Sequence, residues 1–235
     1  MAPFVFLAGV GGMVEVASVK TDANIPRGTF EILLELASPE KRKRAERISH
    51  RINAINTLVG ELLAREMVAA KTGAKNDDLF FLRGPGGKPY LRDFPGLHFN
   101  ISHSGDLVVC ALSDRPVGID VEKPGTLPSR ITRRFFSRGE IDCISNAQDK
   151  YAAFYKIWTM KESYLKLKGE GSAIPLASFC VLEIAKRGEA FFYPIEARED
   201  AACHLCTESQ GEVLHKGYSL SELLNRSQIV ENGSG

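Results

Sequence analysis

Three carboxylates and two lysines stand where they could hold a metal-bound phosphate. Asp120 and Glu122 lie in the run Val117-Gly118-Ile119-Asp120-Val121-Glu122-Lys123, and Glu162 lies with Lys161 and Lys166 in Trp158-Thr159-Met160-Lys161-Glu162-Ser163-Tyr164-Leu165-Lys166. In the first run the apolar Val117, Ile119 and Val121 alternate with Gly118, Asp120 and Glu122. A strand therefore buries one row and presents both carboxylates on the other face. Side chains two apart on a strand are separated by about 7 Å, close enough to share one hard cation. On its own, D-x-E fits an ordinary half-buried strand with a solvated acidic face better. The second run shifts that balance.

On a helical wheel, Phe154, Ile157, Trp158 and Leu165 form one apolar stripe, and Lys161 falls in its middle. An ammonium buried without a partner costs several kcal/mol, so either the stripe opens onto a polar cleft or a carboxylate awaits this lysine. Glu162 and Lys166, four residues apart at the stripe's edge, reach a common ligand from one flank. A surface Glu-Lys pair would account for those two residues but leaves Lys161 unexplained.

These runs, together with Phe99-Asn100-Ile101-Ser102-His103-Ser104, resemble the 4′-phosphopantetheinyl transferases of the surfactin-synthetase-activating type. Ser38-Pro39-Glu40-Lys41-Arg42, Gly87-Lys88-Pro89 and the segment from Phe135-Phe136-Ser137 to Glu140 fall in the same order, so the pattern covers residues 38–182. The resemblance implies a holo-[acyl-carrier-protein] synthase that moves the phosphopantetheine arm of coenzyme A onto a serine of an acyl or peptidyl carrier protein and releases 3′,5′-ADP. It makes Asp120, Glu122 and Glu162 the ligands of a magnesium ion set against the coenzyme's pyrophosphate. Lys166 looks like a second positive charge for the same phosphates. Glu162 takes the serine proton, directly or through a metal-bound water, with Glu122 the other choice. Lys161 organises the site through a carboxylate, and Glu140 stands at the family's acidic position.

Ser38, Pro39 and Glu40 read as an N-cap, a first-turn proline and a first-turn acid. Ile48, Ile52, Ile55, Val59 and Leu62 then recur at helical spacing, which predicts one helix from about 39 to about 71. Its first turns carry Lys41, Arg42, Lys43, Arg44, Arg47 and Arg51 against Glu46, in a chain of formal net charge +1. Such a patch is a solvated helix face or an anion site, and it lacks the aromatic interleaving of a nucleic-acid surface. The resemblance assigns Lys41 and Arg44 to the 3′-phosphate of coenzyme A, with Ser102 and His103 closing on the same end and Lys88 a further phosphate contact. His98 either faces the coenzyme or is a satisfied buried histidine. Where relatives often carry a basic residue beside the adenosine phosphate, this chain reads Ile55-Asn56-Thr57. Thr57 is left to donate a hydrogen bond, and the lost charge either weakens coenzyme A binding or shifts the load to Arg47 and Arg51.

With 235 residues, 44% hydrophobic and 25% charged, the chain has ample material for a core. Near-neutral charge argues against general nucleic-acid binding. Pro3 to Val10 is short and lacks a basic leader, so it reads as a first strand and turn, and the absence of a membrane-length apolar run predicts a cytoplasmic protein. Five cysteines fit reduced thiols. Cys203-His204-Leu205-Cys206, with His215 nearby, reads as a strand in preference to a zinc site because C-x-x-C has no second ligand pair.

The pattern divides near residue 113 into two α+β halves, 1–112 and 113–235. The resemblance implies a pseudo-two-fold pair in one chain, with the adenosine side on the first half, the magnesium carboxylates on the second and the active site in the cleft between. It also implies a monomer, with an acidic carrier helix docking beside the cleft on residues such as Arg130, Arg133 and Arg134. Fatty-acid, polyketide and nonribosomal-peptide carriers share the required chemistry. The alternative is a degenerate relative that binds coenzyme A or a carrier without transfer.

Overall fold

The computed structural model describes residues 12–84, 86–125, 134–169 and 174–232, without the side chains of 228–232. The Pro3 to Val10 run, expected to be a strand, lies outside the described residues. The first described strand is β1 (Val14–Lys20), which has apolar residues on both faces and is buried over most of its length. Helices α1 (Arg27–Leu36), α2 (Pro39–Glu46) and α3 (Arg51–Thr72) follow, then a small hairpin of β2 (Phe81–Arg83) and β3 (Pro89–Leu91), then β4 (His98–Ser104) and β5 (Leu107–Ser113). The second half holds β6 (Val117–Glu122), α4 (Arg138–Asn146), α5 (Lys150–Lys168), α6 (Val181–Lys186), β7 (Phe191–Pro194) and β8 (Ala202–Thr207). The chain ends with β9 (Val213–Tyr218) and α7 (Leu220–Asn232).

The single helix expected from about 39 to 71 is two helices. His50, with ψ 113°, is extended and separates α2 from α3. Apolar spacing continues across the break because Ile48, in the connection, packs on the same core as α3. The expected N-cap is present: the Ser38 hydroxyl accepts from the Lys41 backbone N–H ahead of Pro39.

Two sheets form the centre. One has the order β4-β5-β1-β9, antiparallel except for the parallel β1–β9 pair, and the other is antiparallel β6-β8-β7. Val16 and Val109 on one sheet meet Val117, Ile119, Val121 and Leu205 on the other in a shared core. Against its opposite face the first sheet carries α3, through Val19, Val108 and Leu112 against Ile55, Val59 and Leu63. Helix α5 covers the opposite face of the second sheet, so helix, sheet, sheet and helix stack in an α+β arrangement of two halves. Residues after 212 return to the first half, where β9 pairs with β1 and α7 packs on α3. No helix among the described residues is long and apolar enough to cross a membrane.

Candidate active site

Gly118 lets α5 press directly on β6. A Cβ added there would lie 2.0 Å from the Ser163 carbonyl oxygen and 2.4 Å from the Leu167 backbone nitrogen, far inside van der Waals contact, so a side chain would drive the helix away. The acidic row of β6 therefore faces a helix instead of solvent, and Asp120 is only 4% exposed. Alternation along β6 held, and α5 closes its acidic face, bringing Glu162 and Lys166 to the carboxylates.

Strand β4 holds β6 through side chains. Asn100 Oδ1 accepts from the Ile119 N–H at 2.8 Å, Ser102 Oγ from Val121 at 3.3 Å and Ser104 Oγ from Lys123 at 3.0 Å. The same two serines donate to the carboxylates, Ser102 to Asp120 Oδ1 at 3.0 Å and Ser104 to Glu122 Oε2 at 2.9 Å. Every second residue of β4 thus serves every second N–H of β6, and the two halves are joined in register at the site. Trp158 Nε1 donates to the other oxygen of Glu122 at 3.3 Å. The signal was in the sequence as Asn100, Ser102 and Ser104 at a spacing matching Asp120 and Glu122, yet Asn100, Ser104 and Trp158 were not read as site residues.

Lys166 Nζ donates to Asp120 Oδ1 at 2.6 Å and to Ser102 Oγ at 2.8 Å. Asp120 Oδ2 is buried with no partner. Burial raises the Asp120 carboxyl above its ordinary value, against the Lys166 charge and the Ser102 hydrogen bond. Burial and then the charge of Asp120 raise Glu122. Glu162 is raised by burial and by the charges of Asp120 and Glu122, with Lys166 opposing. Asp120 raises both Glu122 and Glu162, and Glu122 adds to Glu162, so the three are electrostatic neighbours short of positive charge.

Among the described residues no group of three or more His, Cys, Asp or Glu side chains is gathered as a ready-made metal cage. The residue types nevertheless suit magnesium, which takes oxygen ligands and keeps waters and phosphate oxygens in its shell. The unpartnered Asp120 Oδ2 is the observation that fits such an ion, because a buried lone pair without a donor is costly.

A cleft of about 640 Å³ opens beside these groups, lined by Gly87, Lys88 and Asn100 from the first half and by Phe135, Glu162 and Lys166 from the second. On the first half, burial lowers His103, and so do the positive charges of Lys166, Lys41 and Arg44. His103 therefore sits inside the cationic group that the sequence pointed to. Adjacent residues of β4 differ in their surroundings: Ser102 donates to Asp120, while His103 feels the positive charges of Lys166, Lys41 and Arg44.

Other predicted residues have duties of their own. Thr57 Oγ1 donates to the Asn53 carbonyl of its own helix at 2.8 Å. Asn56 is fully buried, accepting from Thr21 Oγ1 at 2.6 Å and donating to the Gly105 carbonyl at 2.8 Å. It is a structural tie between α3 and the β4–β5 turn. Arg51, expected to take over lost charge, donates to the Ala23 and Ile25 carbonyls and lies over the Phe30 ring. Lys88 Nζ donates to the Val117 carbonyl at 2.8 Å and the Leu167 carbonyl at 3.2 Å, and burial lowers it to about 8. His98 is half-buried near Lys88, away from the His103 group, and burial lowers it. Arg130 and Arg133 lie outside the described residues, and Arg134 is exposed.

Lys161 is 0% exposed, as is Glu140. Its ammonium donates to Glu140 at 2.7 and 2.9 Å and to the Phe179 carbonyl at 2.7 Å. Glu140 also accepts from the Val181 N–H at 2.8 Å and completes a capping box with Ser137. Cys203 and Cys206 belong to a buried strand, in separate core clusters. His204 pairs with Thr159, and His215 with Ser18 on the other sheet, so the strand reading of this segment stands and no zinc set forms.

Two α+β halves, an acid-and-lysine cleft between them and a cationic flank on one half define a protein suited to a substrate with several phosphates. The chain matches the family models described as "4'-phosphopantetheinyl transferase, N-terminal" over residues 26–115 and "4'-phosphopantetheinyl transferase superfamily" over residues 116–221. The 4′-phosphopantetheinyl transferase Sfp of Bacillus subtilis (strain 168) is 36% identical over 170 residues, which is 72% of this chain and 76% of that protein. The 4′-phosphopantetheinyl transferase gsp of Aneurinibacillus migulanus is 38% identical over 171 residues, 72% of this chain and 71% of its own. The mouse L-aminoadipate-semialdehyde dehydrogenase-phosphopantetheinyl transferase is 31% identical over 161 residues, 62% of this chain and 52% of its own. The chain belongs to the 4′-phosphopantetheinyl transferase superfamily and is an enzyme of that kind.

Proposed function

We propose that this enzyme transfers the phosphopantetheine arm of coenzyme A to a serine hydroxyl of an apo carrier protein, with magnesium, and releases 3′,5′-ADP. The observation that carries it is the unpartnered Oδ2 of buried Asp120, whose charge raises both Glu122 and Glu162, beside a cleft lined by Glu162 and Lys166. Asp120, Glu122 and Glu162 would hold the ion. When bound, magnesium supplies positive charge to the pyrophosphate as it is broken.

The chain's own groups do the rest. Lys41, Arg44 and His103 hold the 3′-phosphate end, and Lys166 faces the pyrophosphate. Glu162, raised above its ordinary value chiefly by burial, accepts the proton of the attacking serine. A bond forms between the serine oxygen and the phosphorus that carries pantetheine, the P–O bond to the adenosine diphosphate breaks, and Lys166 faces the departing charge. The carrier docks beside the cleft near Arg134, and a monomer suffices because both halves lie in one chain.

Intact-mass spectrometry of a purified apo carrier protein, incubated with this enzyme, coenzyme A and magnesium, tests the reading. A gain of one phosphopantetheine unit that disappears with chelator is expected. Unmodified carriers of all three classes, with coenzyme A still bound, would leave the non-transferring alternative standing instead.

A further inference from the structure

We propose that the hollow bounded by α5, α6, β7 and β8 is a second ligand site, separate from the cleft, and that it takes a small aromatic acid carrying a hydroxyl group. The cavity measures about 640 Å³, within the size range of small-molecule sites. It shares no lining residue with the cleft beside Glu162 and Lys166. The site does not depend on the transfer reaction proposed above.

Small residues leave the hollow open. Helix α5 lines it with Ala152, Ala153 and Met160, α6 with Ala185, and the second sheet with Ala202 and Phe192. The walls are therefore apolar, apart from two groups. His204, 6% exposed, is one, and Lys156, exposed one turn before Met160, is the other. No carboxylate among the described residues pairs with Lys156.

The hydrogen bonds around His204 fix what it offers. Thr159 has a single hydroxyl proton, which goes to the Tyr155 carbonyl at 2.8 Å, with the Lys156 carbonyl sharing it at 3.1 Å. Thr159 Oγ1 can then only accept from His204 Nδ1, at 2.8 Å, so Nδ1 carries the proton and Nε2 is a bare acceptor. Nε2 has no hydrogen-bond partner among the described residues and is not sealed in protein, so its partner belongs in the cavity. Burial and then the Lys156 charge lower the ring to about 4, which leaves the acceptor present at neutral pH. An acceptor needs a donor, a free ammonium needs an anion, and a space lined by alanines and a phenyl ring suits a flat apolar body. An aromatic ring with a hydroxyl at one end and a carboxylate at the other supplies all three. A carboxylate alone on the ring would strand Nε2, and a hydroxyl alone would leave Lys156 unpaired.

Calorimetric titration of the full chain with 4-hydroxybenzoate, repeated with benzoate, with phenol and in saturating coenzyme A, tests the site. 4-Hydroxybenzoate should bind saturably, and coenzyme A should not displace it. Benzoate should bind about tenfold more weakly, the cost of leaving one buried acceptor without its donor. Phenol should lose only a fewfold, since Lys156 is exposed and its charge is screened. Lys156→Gln should weaken 4-hydroxybenzoate by that same factor and leave phenol unchanged. Ala153→Leu fills the hollow and should abolish binding with little change in thermal midpoint. No saturable binding, displacement by coenzyme A, or equal affinity for benzoate would each overturn the proposal. The first leaves a surface hollow without a ligand, the second puts the ligand in the cleft, and the third removes His204 as its anchor. A folded Ala153→Leu chain that binds as before overturns it as well.

Discussion

Helix α5 carries two lysines five positions apart, each on a carboxylate, and their surroundings are opposite. Lys161 and Glu140 are sealed, with three hydrogen bonds from the ammonium and further N–H donors on the acid. Lys166 and Asp120 are open on one side: the lysine side chain is 28% exposed, one carboxylate oxygen has no partner, and two more carboxylates crowd it. A buried ion pair survives only when every lone pair and proton is matched. The sealed pair meets that condition alone and is scaffold. The open pair does not meet it without positive charge from outside, which is why it is the binding centre in the function proposed above.

Breaking the sealed pair should give the largest change. Lys161→Met leaves a buried carboxylate without its ammonium and should cost about 3–5 kcal/mol in urea unfolding. Adding Glu140→Gln should recover much of that, since the amide oxygen still accepts from Val181. If the double variant is no more stable than the single, the pair is not the unit that the geometry suggests. The open pair should behave in the reverse way. Glu162→Gln should lower transfer by about a hundredfold or more. Its unfolding midpoint should hold or rise, because a carboxylate raised by burial and by like charges is a stability cost at neutral pH. A stability loss without an activity loss would put Glu162 on the scaffold side.

A third group, packed against α5 from β8, sharpens the contrast through pH. His204 pairs with Thr159 and is lowered to about 4, burial being the first cause and Lys156 the second. The unfolded chain takes up a proton near 6.5 that the folded chain refuses until about 4. Stability should therefore be full above 6.5 and fall as pH drops toward 4, by on the order of 3 kcal/mol at most. The cleft carboxylates run the other way, since raised groups remove stability as pH rises above the ordinary carboxylate range. His204→Gln should flatten the acid limb alone, as read by unfolding midpoints between pH 4 and 7. Parallel profiles for the variant and the parent would remove His204 from the account.

How far these features were legible follows the physics that produces them. The lysine inside an apolar stripe announced either a polar cleft or a buried carboxylate, and the structure shows the second, with Glu140 as the partner. The alternation of β6 was equally plain, while the helix that closes its acidic face rests on the single small residue Gly118, whose contact is with backbone and has no counterpart in periodicity. The break at His50 carries no glycine or proline and was read through. Strand β1 was overlooked because the more apolar opening run drew the assignment, whereas Val14–Lys20 earns burial from two layers at once. That Arg42 and Arg51 are tied to backbone carbonyls, and so are not free charges, is a matter of tertiary contacts only.

The smallest expected effect lies at the seam between scaffold and centre. Ser104 accepts from the Lys123 N–H and donates to Glu122, so one hydroxyl both joins the halves and fixes an acid. Ser104→Ala loses both bonds and should cost about 1 kcal/mol of stability. It also frees one oxygen of Glu122 and leaves the other held by Trp158 alone. Transfer should then fall a fewfold, with a higher magnesium requirement and an unchanged affinity for coenzyme A. Ser104→Thr keeps the hydroxyl and should restore both properties. If stability drops by the expected amount while the magnesium titration does not move, the hydroxyl serves the joint between the halves only, and Trp158 is enough to position Glu122.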